Sequence, residues 1–311
     1  MRVFYSDPFP FPLPEGHRFP IQKFVLLREA VLAARLVAPE DVMMPPPITD
    51  EQILLAHDAD YVRRVVNGQL TAVELRRIGL PWSPELVTRV RYSVGGTLTA
   101  CRAALEDGIA VNLAGGTHHA FRDYGQGYCL FNDSVIAART LQAEGCLRRA
   151  VVLDCDVHQG NGTAALTAGD ASIFTFSIHN EQTFPLHKVP SDLDVGLEDG
   201  AGDAEYLAVL EPGMRRALEM AEADLALYLA GADPYERDLL GRMALTRDGL
   251  ARRDRLVLEM CRQAGLPVSA VMAGGYTRDV EDTVEVHLQT VRIAAHMAPT
   301  WPKPGPVHKS S

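Results

Sequence analysis

The sequence predicts a single α/β domain built on a central parallel β-sheet flanked by helices, and three observations predict it. Short apolar runs recur along the chain, each too short to be a helix. Segments carrying helix start and stop signals separate them. Four of the runs are followed directly by a cluster of polar residues able to do chemistry. Alternation of strands with helices is the pattern of a parallel sheet covered on both faces.

The apolar runs are Ile109 to Ala114, Ala150 to Leu153, Ile173 to Ile178, Leu225 to Ala230 and Val268 to Ala273. Between them, Ser83-Pro84-Glu85 supplies a capping hydroxyl and a proline at the first helical position, for a helix reaching about Leu105 before Gly108. Asp133 is placed to cap a helix ending near Gly145. Met214, Leu218, Ala221 and Leu225 repeat with the period of a buried helix face. A last helix, from about Leu250 to Ala264, stops at Gly265 with Pro267 behind it. The Pro-rich stretches Pro8 to Pro14 and Pro45 to Pro47 read as surface loops. One α/β domain over residues 1–300 and a loose tail over 301–311 are expected.

Composition narrows the function classes. The net charge is -10, with no run of five basic residues, so direct nucleic-acid binding is not expected. A negative field favours cationic partners such as amines or Lys-rich peptides. Cys101, Cys129, Cys146, Cys155 and Cys261 are odd in number and lack a CxxC pair. That points away from a disulfide framework and toward a reducing compartment, the cytoplasm. Met1 to Pro14 holds four prolines and two charges, unlike a signal peptide, and no apolar stretch approaches the ~18 residues of a membrane span.

Ligands of open α/β sheets bind beyond the carboxyl ends of the strands. The first run is followed by Gly115-Gly116-Thr117-His118-His119, the second by Asp154-Cys155-Asp156-Val157-His158 and on to Thr163. The fourth leads to Gly231-Ala232-Asp233 and the fifth to Gly274-Gly275-Tyr276. In extended chain, Asp154, Asp156 and His158 share one face. Carboxylates and an imidazole suit Zn²⁺ and related divalent ions, with Asp156 and His158 as an inner pair and Asp233 as third ligand. Three ligands leave a position for water. DxDxH alone could equally be a solvated strand end, and His118-His119 alone a surface pair. Beside a metal site, one of those histidines can take a proton from water, with Asp154 and Asn161 available to fix the rings. The Tyr276 hydroxyl can donate to an oxyanion.

Five motifs in order, GGTHHA (115–120), GYCLFND (127–133), DCDVHQGNGT (154–163), GADPYERDLLG (231–241) and AGGY (273–276), resemble the histone deacetylase family from about Arg18 to Tyr276. Gln159 and FPLHKVPSDLDV (184–195) are most similar to its class IV branch and bacterial relatives. The resemblance implies the arginase/deacetylase fold and one metal ion, Zn²⁺ or alternatively Fe²⁺, on Asp156, His158 and Asp233. It implies His118 and His119 as the acid/base pair, with His119 the base, Asp154 behind His118, Asn161 behind His119, and Tyr276 on the oxyanion. Gly127, Tyr128 and Phe184 would wall a tunnel for an acyl-lysine or similar acylated amine. K⁺ would sit on Asp154, Asp156 and Ser177, and Arg18 would line an acetate exit. Tyr128 stands where many members have Phe, and neutral Asn161 where some have Asp. The implied activity is amide deacylation. An arginase-like ureohydrolase would need more Asp ligands in a DxHxD segment, and a non-catalytic binder of acyl-lysine or metabolites would be expected to lose a His or the Tyr. Nothing in the sequence specifies the acyl chain, the amine or the oligomeric state.

Overall fold

All five apolar runs are strands. The structure, a computed structural model, describes residues 1–303 of the 311. Its strands are β1 (Val3–Phe4), β2 (Val42–Met43), β3 (Ile109–Asn112), β4 (Ala150–Asp154), β5 (Ile173–Asn180), β6 (Leu193–Leu197), β7 (Leu225–Leu229) and β8 (Val268–Val271). They form one sheet in the order β2-β1-β3-β8-β7-β4-β5-β6, and every pairing is parallel. Every residue of β3, β4, β5, β7 and β8 is buried, which is why these strands read as unbroken apolar runs.

Among the described residues, ten helices cover the two faces: α1 (Gln22–Ala33), α2 (Asp50–Ile53), α3 (Ala59–Val66), α4 (Ala72–Ile78), α5 (Pro84–Asp107), α6 (Asp133–Ala143), α7 (Asn161–Thr167), α8 (Asp203–Ala221), α9 (Arg247–Gln263) and α10 (Val280–Met297). Side chains alternate across the sheet, so β4 sends Val151 and Leu153 into one core and Ala150 and Val152 into the other. The first core takes Leu27, Met214, Val257 and Val291 from α1, α8, α9 and α10. The second takes Val94 and Leu98 from α5 and Val135 and Ile136 from α6. Among the described residues no helix is long and apolar enough to cross a membrane.

The capping signals act with one correction. The Ser83 hydroxyl accepts from the Leu86 amide at 3.1 Å, Pro84 opens α5, and Gly108 ends it at φ 92°. At α6 the cap is Asn132, whose side chain accepts from Val135 N at 3.1 Å, and not Asp133. The Asp133 carboxylate is used elsewhere, as described below. The buried face of α8 is Tyr206, Leu210, Met214, Ala217 and Ala221, whereas Leu225 already belongs to β7. Trp301, expected in the loose tail, is 5% exposed and covers Gly108, where any Cβ would lie 2.3 Å from its ring. Residues 304–311, the rest of that tail, lie outside the described residues.

One buried ion pair ties the core to the sheet edge that carries the polar clusters. Arg253 of α9 is fully buried and donates to the carbonyls of Gly231 (2.6 Å) and Cys155 (3.2 Å), and to Asp254 (2.9 Å). Asp254 also accepts from the Tyr228 hydroxyl (2.5 Å) and from Thr290 (2.6 Å). Removing one partner of such a pair leaves the other charge buried and uncompensated. Arg253→Met is expected to lower stability by about 3–5 kcal/mol, read by urea denaturation. An unchanged midpoint would contradict this account of the ion pair.

Candidate metal centre and its cavities

The sheet order places β3, β8, β7 and β4 side by side. Their carboxyl ends therefore deliver the His118-His119, Tyr276, Asp233 and Asp156/His158 segments to one place. Asp154 is the last residue of β4, and the chain bends immediately after it. Asp156 and His158 thus converge through that bend and not, as the sequence spacing suggested, through strand alternation. Cys155, between Asp154 and Asp156, faces the core and is fully buried.

Asp156, His158 and Asp233 are buried, and one ligand atom from each lies within 4.8 Å of the others. His158 Nδ1 is 3.0 Å from Asp156 Oδ1 and 3.2 Å from Asp233 Oδ2. Asp233 Oδ2 has no hydrogen-bond partner among the described residues, whereas Oδ1 accepts from Val157 N at 2.9 Å. An inward-facing carboxylate oxygen without a donor is what a cation site requires. Gly274 completes the cradle: its amide donates to Asp156 Oδ2 at 2.7 Å, and a Cβ there would sit 1.8 Å from Asp233 Oδ2. These residues fit a divalent ion. Burial and the neighbouring Asp156 hold the Asp233 carboxyl up at about 7.

The two histidines lie against this group, their ring centroids 4.0 Å apart. His118 Nδ1 donates to Asp154 Oδ2 at 2.6 Å, and His119 Nδ1 faces Asn161 Oδ1 at 2.9 Å. Each ring therefore has the partner expected for it. Burial opposes charge on His118, but Asp154 and Asp156 outweigh it and raise its pKa to about 9. Burial, then the charges of His118 and His158, hold His119 well below its ordinary value. The loop carrying the pair is pinned by Asp133, whose carboxylate accepts from Gly116 N (2.9 Å), Thr117 N (2.8 Å), Thr117 Oγ1 (2.8 Å) and Thr97 Oγ1 (2.7 Å). Gly115 and Gly116 take φ of 87° and 73°, which suits glycine.

Tyr276 is held from behind by Asp238, which accepts from its amide at 2.6 Å and from Leu240 and Gly241 N at 2.8 Å. Burial first, then Asp156 and Asp233, raise the Tyr276 hydroxyl well above its ordinary pKa, so it stays protonated. Its ring lies 5.7 Å from that of Tyr128 and 6.5 Å from that of His158. An outer cavity bounded by His119, Gly127, Tyr128, Phe184, Leu240 and Tyr276 opens to the surface. Phe184 stands edge-on to His119 at 4.8 Å and is 40% exposed, at the rim. A Cβ on Gly127 would approach His119 to 2.7 Å and Phe184 to 2.9 Å, so glycine keeps this passage open. Gln159 anchors the segment carrying Phe184, donating to Val189 O at 2.9 Å and accepting from Val189 N at 3.0 Å.

A second, inner cavity extends from the same residues into the protein, between Phe11, Phe24, Leu86, Lys23, Arg89 and Tyr276. Arg18, the arginine the sequence suggested for this region, is exposed and lines a surface depression beside Leu239, Thr277 and Arg278. The buried cations here are Lys23 and Arg89, neither singled out from the sequence. A signal existed: Lys23 shares the buried face of α1 with Leu27 and Val31, in a chain with four lysines. Behind the metal group, Ser177 pairs in register with Asp154, and its hydroxyl lies 2.9 Å from His179 Nδ1. Asp154 and Ser177 are thus neighbours, and the Asp156 amide donates to Asp154 Oδ1 at 3.1 Å.

Comparisons to known proteins show what the chain is similar to. The chain is 45% identical to an uncharacterized protein of Picosynechococcus sp. over 94% of this chain and 97% of that one. It is 24% identical to histone deacetylase 2 of Arabidopsis thaliana, over 86% of this chain and 73% of that one. The crystal structure of an HDAC homolog from Aquifex aeolicus superposes with a TM-score of 0.80 at 22% identity, covering 95% of this chain and 84% of that one. The family described as the histone deacetylase domain matches residues 17–291, most of the length, and the chain belongs to that family.

Proposed function

We propose that this protein is a metal-dependent amide hydrolase that removes acetyl or other acyl groups from lysine side chains or related amines. The observation that carries the reading is the meeting of the buried Asp156–His158–Asp233 group with a paired histidine and a protonated tyrosine at the floor of a surface-opening cavity. Zn²⁺ is the expected ion, with Fe²⁺ the alternative, and when bound it polarises a carbonyl and lowers the pKa of water.

The chain's own groups divide the remaining work. His119, kept neutral and oriented through Nδ1 by Asn161, leaves Nε2 to accept a proton from water as the general base. His118, charged and braced by Asp154, holds a proton for the departing amine. The Tyr276 hydroxyl donates to the oxygen that becomes negative when the carbonyl carbon turns tetrahedral. Gly127, Tyr128 and Phe184 admit the alkyl stem of the amine and exclude water around it. Asp154, Asp156 and Ser177 would hold a monovalent cation, K⁺, behind the divalent ion. A cytoplasmic setting is supported by five free cysteines, four of them buried.

Metal content tests the reading against a two-metal ureohydrolase. Elemental analysis of purified protein is expected to give one divalent ion per chain, reduced in Asp233→Ala. Two ions per chain would contradict it.

A further inference from the structure

The inner cavity contains two cations that the proposed chemistry does not use. Lys23 is 3% exposed and Arg89 is 5% exposed. Neither forms a salt bridge with any described residue. Lys23 Nζ donates one hydrogen bond, to the carbonyl of Ala273 at 3.1 Å, and the Arg89 Nη2 is buried without a partner. Both line the cavity that also touches His118, His119, Asp156 and Tyr276. Lys23 Nζ lies 5.4 Å from the centre of the Tyr276 ring and 5.3 Å from that of Phe24, and the Arg89 guanidinium lies 4.4 Å from the same Phe24 ring. Phe11, Phe19, Leu80 and Leu86 give the rest of the wall an apolar stretch, and Ser93, Thr117 and His158 add polar groups to it. Asp7, the acid closest in effect to Arg89, is already paired with Arg28 at 2.9 Å.

Two buried charges with unused donors are costly unless an anion meets them. A carboxylate would accept from both, and the guanidinium fork suits it. The acyl group of a substrate whose carbonyl lies between Tyr276 and the metal group would extend into this cavity, with its end facing the cations. Resting on the amide hydrolase reading above, we propose that Lys23 and Arg89 bind the terminal carboxylate of the acyl group, so that the preferred substrates are lysine amides of short dicarboxylic acids, succinyl and glutaryl. The reaction is the same hydrolysis: the amide C–N bond breaks, water supplies the new C–O bond, its proton passes to the amine, and the products are lysine and the dicarboxylate.

The test uses the full, metal-loaded chain and peptides bearing acetyl-, butyryl-, valeryl-, succinyl- or glutaryl-lysine. Succinyl is expected to exceed butyryl, and glutaryl to exceed valeryl, by about tenfold or more in kcat/KM. Lys23→Met and Arg89→Met are each expected to lower those ratios by about tenfold, with Arg89→Lys recovering part of the loss. Calorimetry on the metal-free protein gives a readout independent of turnover: wild type is expected to bind succinate, and both Met variants to bind it more weakly. If neutral acyl groups are cleaved as fast as charged ones, the proposal fails and the hydrolase reading stands. If the variants alter only inhibition by free acetate, the cations serve the leaving product and the proposal also fails. If no acyl-lysine is cleaved, the underlying hydrolase reading fails, and the proposal with it.

Discussion

Replacing His119 with alanine is expected to lower kcat for acyl-lysine hydrolysis about 10²–10⁴-fold while leaving the metal content at the wild-type value. The ring is not part of the Asp156–His158–Asp233 group, so the ion site should survive. What is lost is a neutral imidazole whose Nδ1 is fixed by Asn161 and whose other nitrogen is left for proton transfer. Burial, with His118 beside it, keeps His119 uncharged, whereas His118 is braced by Asp154. The two positions are therefore not interchangeable, and His118 is not expected to replace the missing base. Steady-state kinetics with parallel metal analysis would check this. Near wild-type turnover in metal-replete His119→Ala would remove His119 from the proposed chemistry.

Tyr276→Phe is expected to cost about 10²–10³-fold in kcat, the usual price of losing one donor to an oxyanion. The substitution removes only the hydroxyl. The loop position depends on the backbone, through the Tyr276 amide donating to Asp238 and the Asp238 carboxylate receiving Leu240 and Gly241. The ring stays against Tyr128 and His158. KM should change little, because the bond strengthens as the oxygen becomes charged. A variant with raised KM and unchanged kcat would make Tyr276 a binding residue instead of an oxyanion donor.

The residues that do the proposed chemistry were legible because each follows a buried apolar run. A strand buried on both faces announces itself, and its carboxyl end is where a parallel sheet places ligands. The two-residue strands β1 and β2 gave no such signal, since pairing alone defines them. In β6, Leu193 and Val195 alternate with exposed Asp194, a pattern hidden inside a polar loop. Asp133 was read as a helix cap because capping is a local signal. Its actual partners, Gly116, Thr117 and Thr97, come from distant parts of the chain, and the neighbouring Asn132 took the cap. Arg18 drew attention as an arginine near the right place in sequence, yet it points to solvent. Lys23, five residues on, and Arg89 enter the inner cavity, and a charge on a helix is ordinarily assigned to the solvated face until packing shows otherwise.

Under the proposed function, the pocket at the carboxyl ends of β3, β8, β7 and β4 hydrolyses acyl amides when, and only when, its Asp–His–Asp group holds a metal ion. Carboxylic acid release from an acylated-lysine peptide panel, followed with protein stripped by chelator and then reloaded with one equivalent of Zn²⁺ or Fe²⁺, tests it most directly. Stripped protein is expected to give no release, one equivalent to restore it, and Asp233→Ala to give none at any metal level. Release that persists after stripping, or no release from any acyl-lysine by the fully loaded protein, would contradict it.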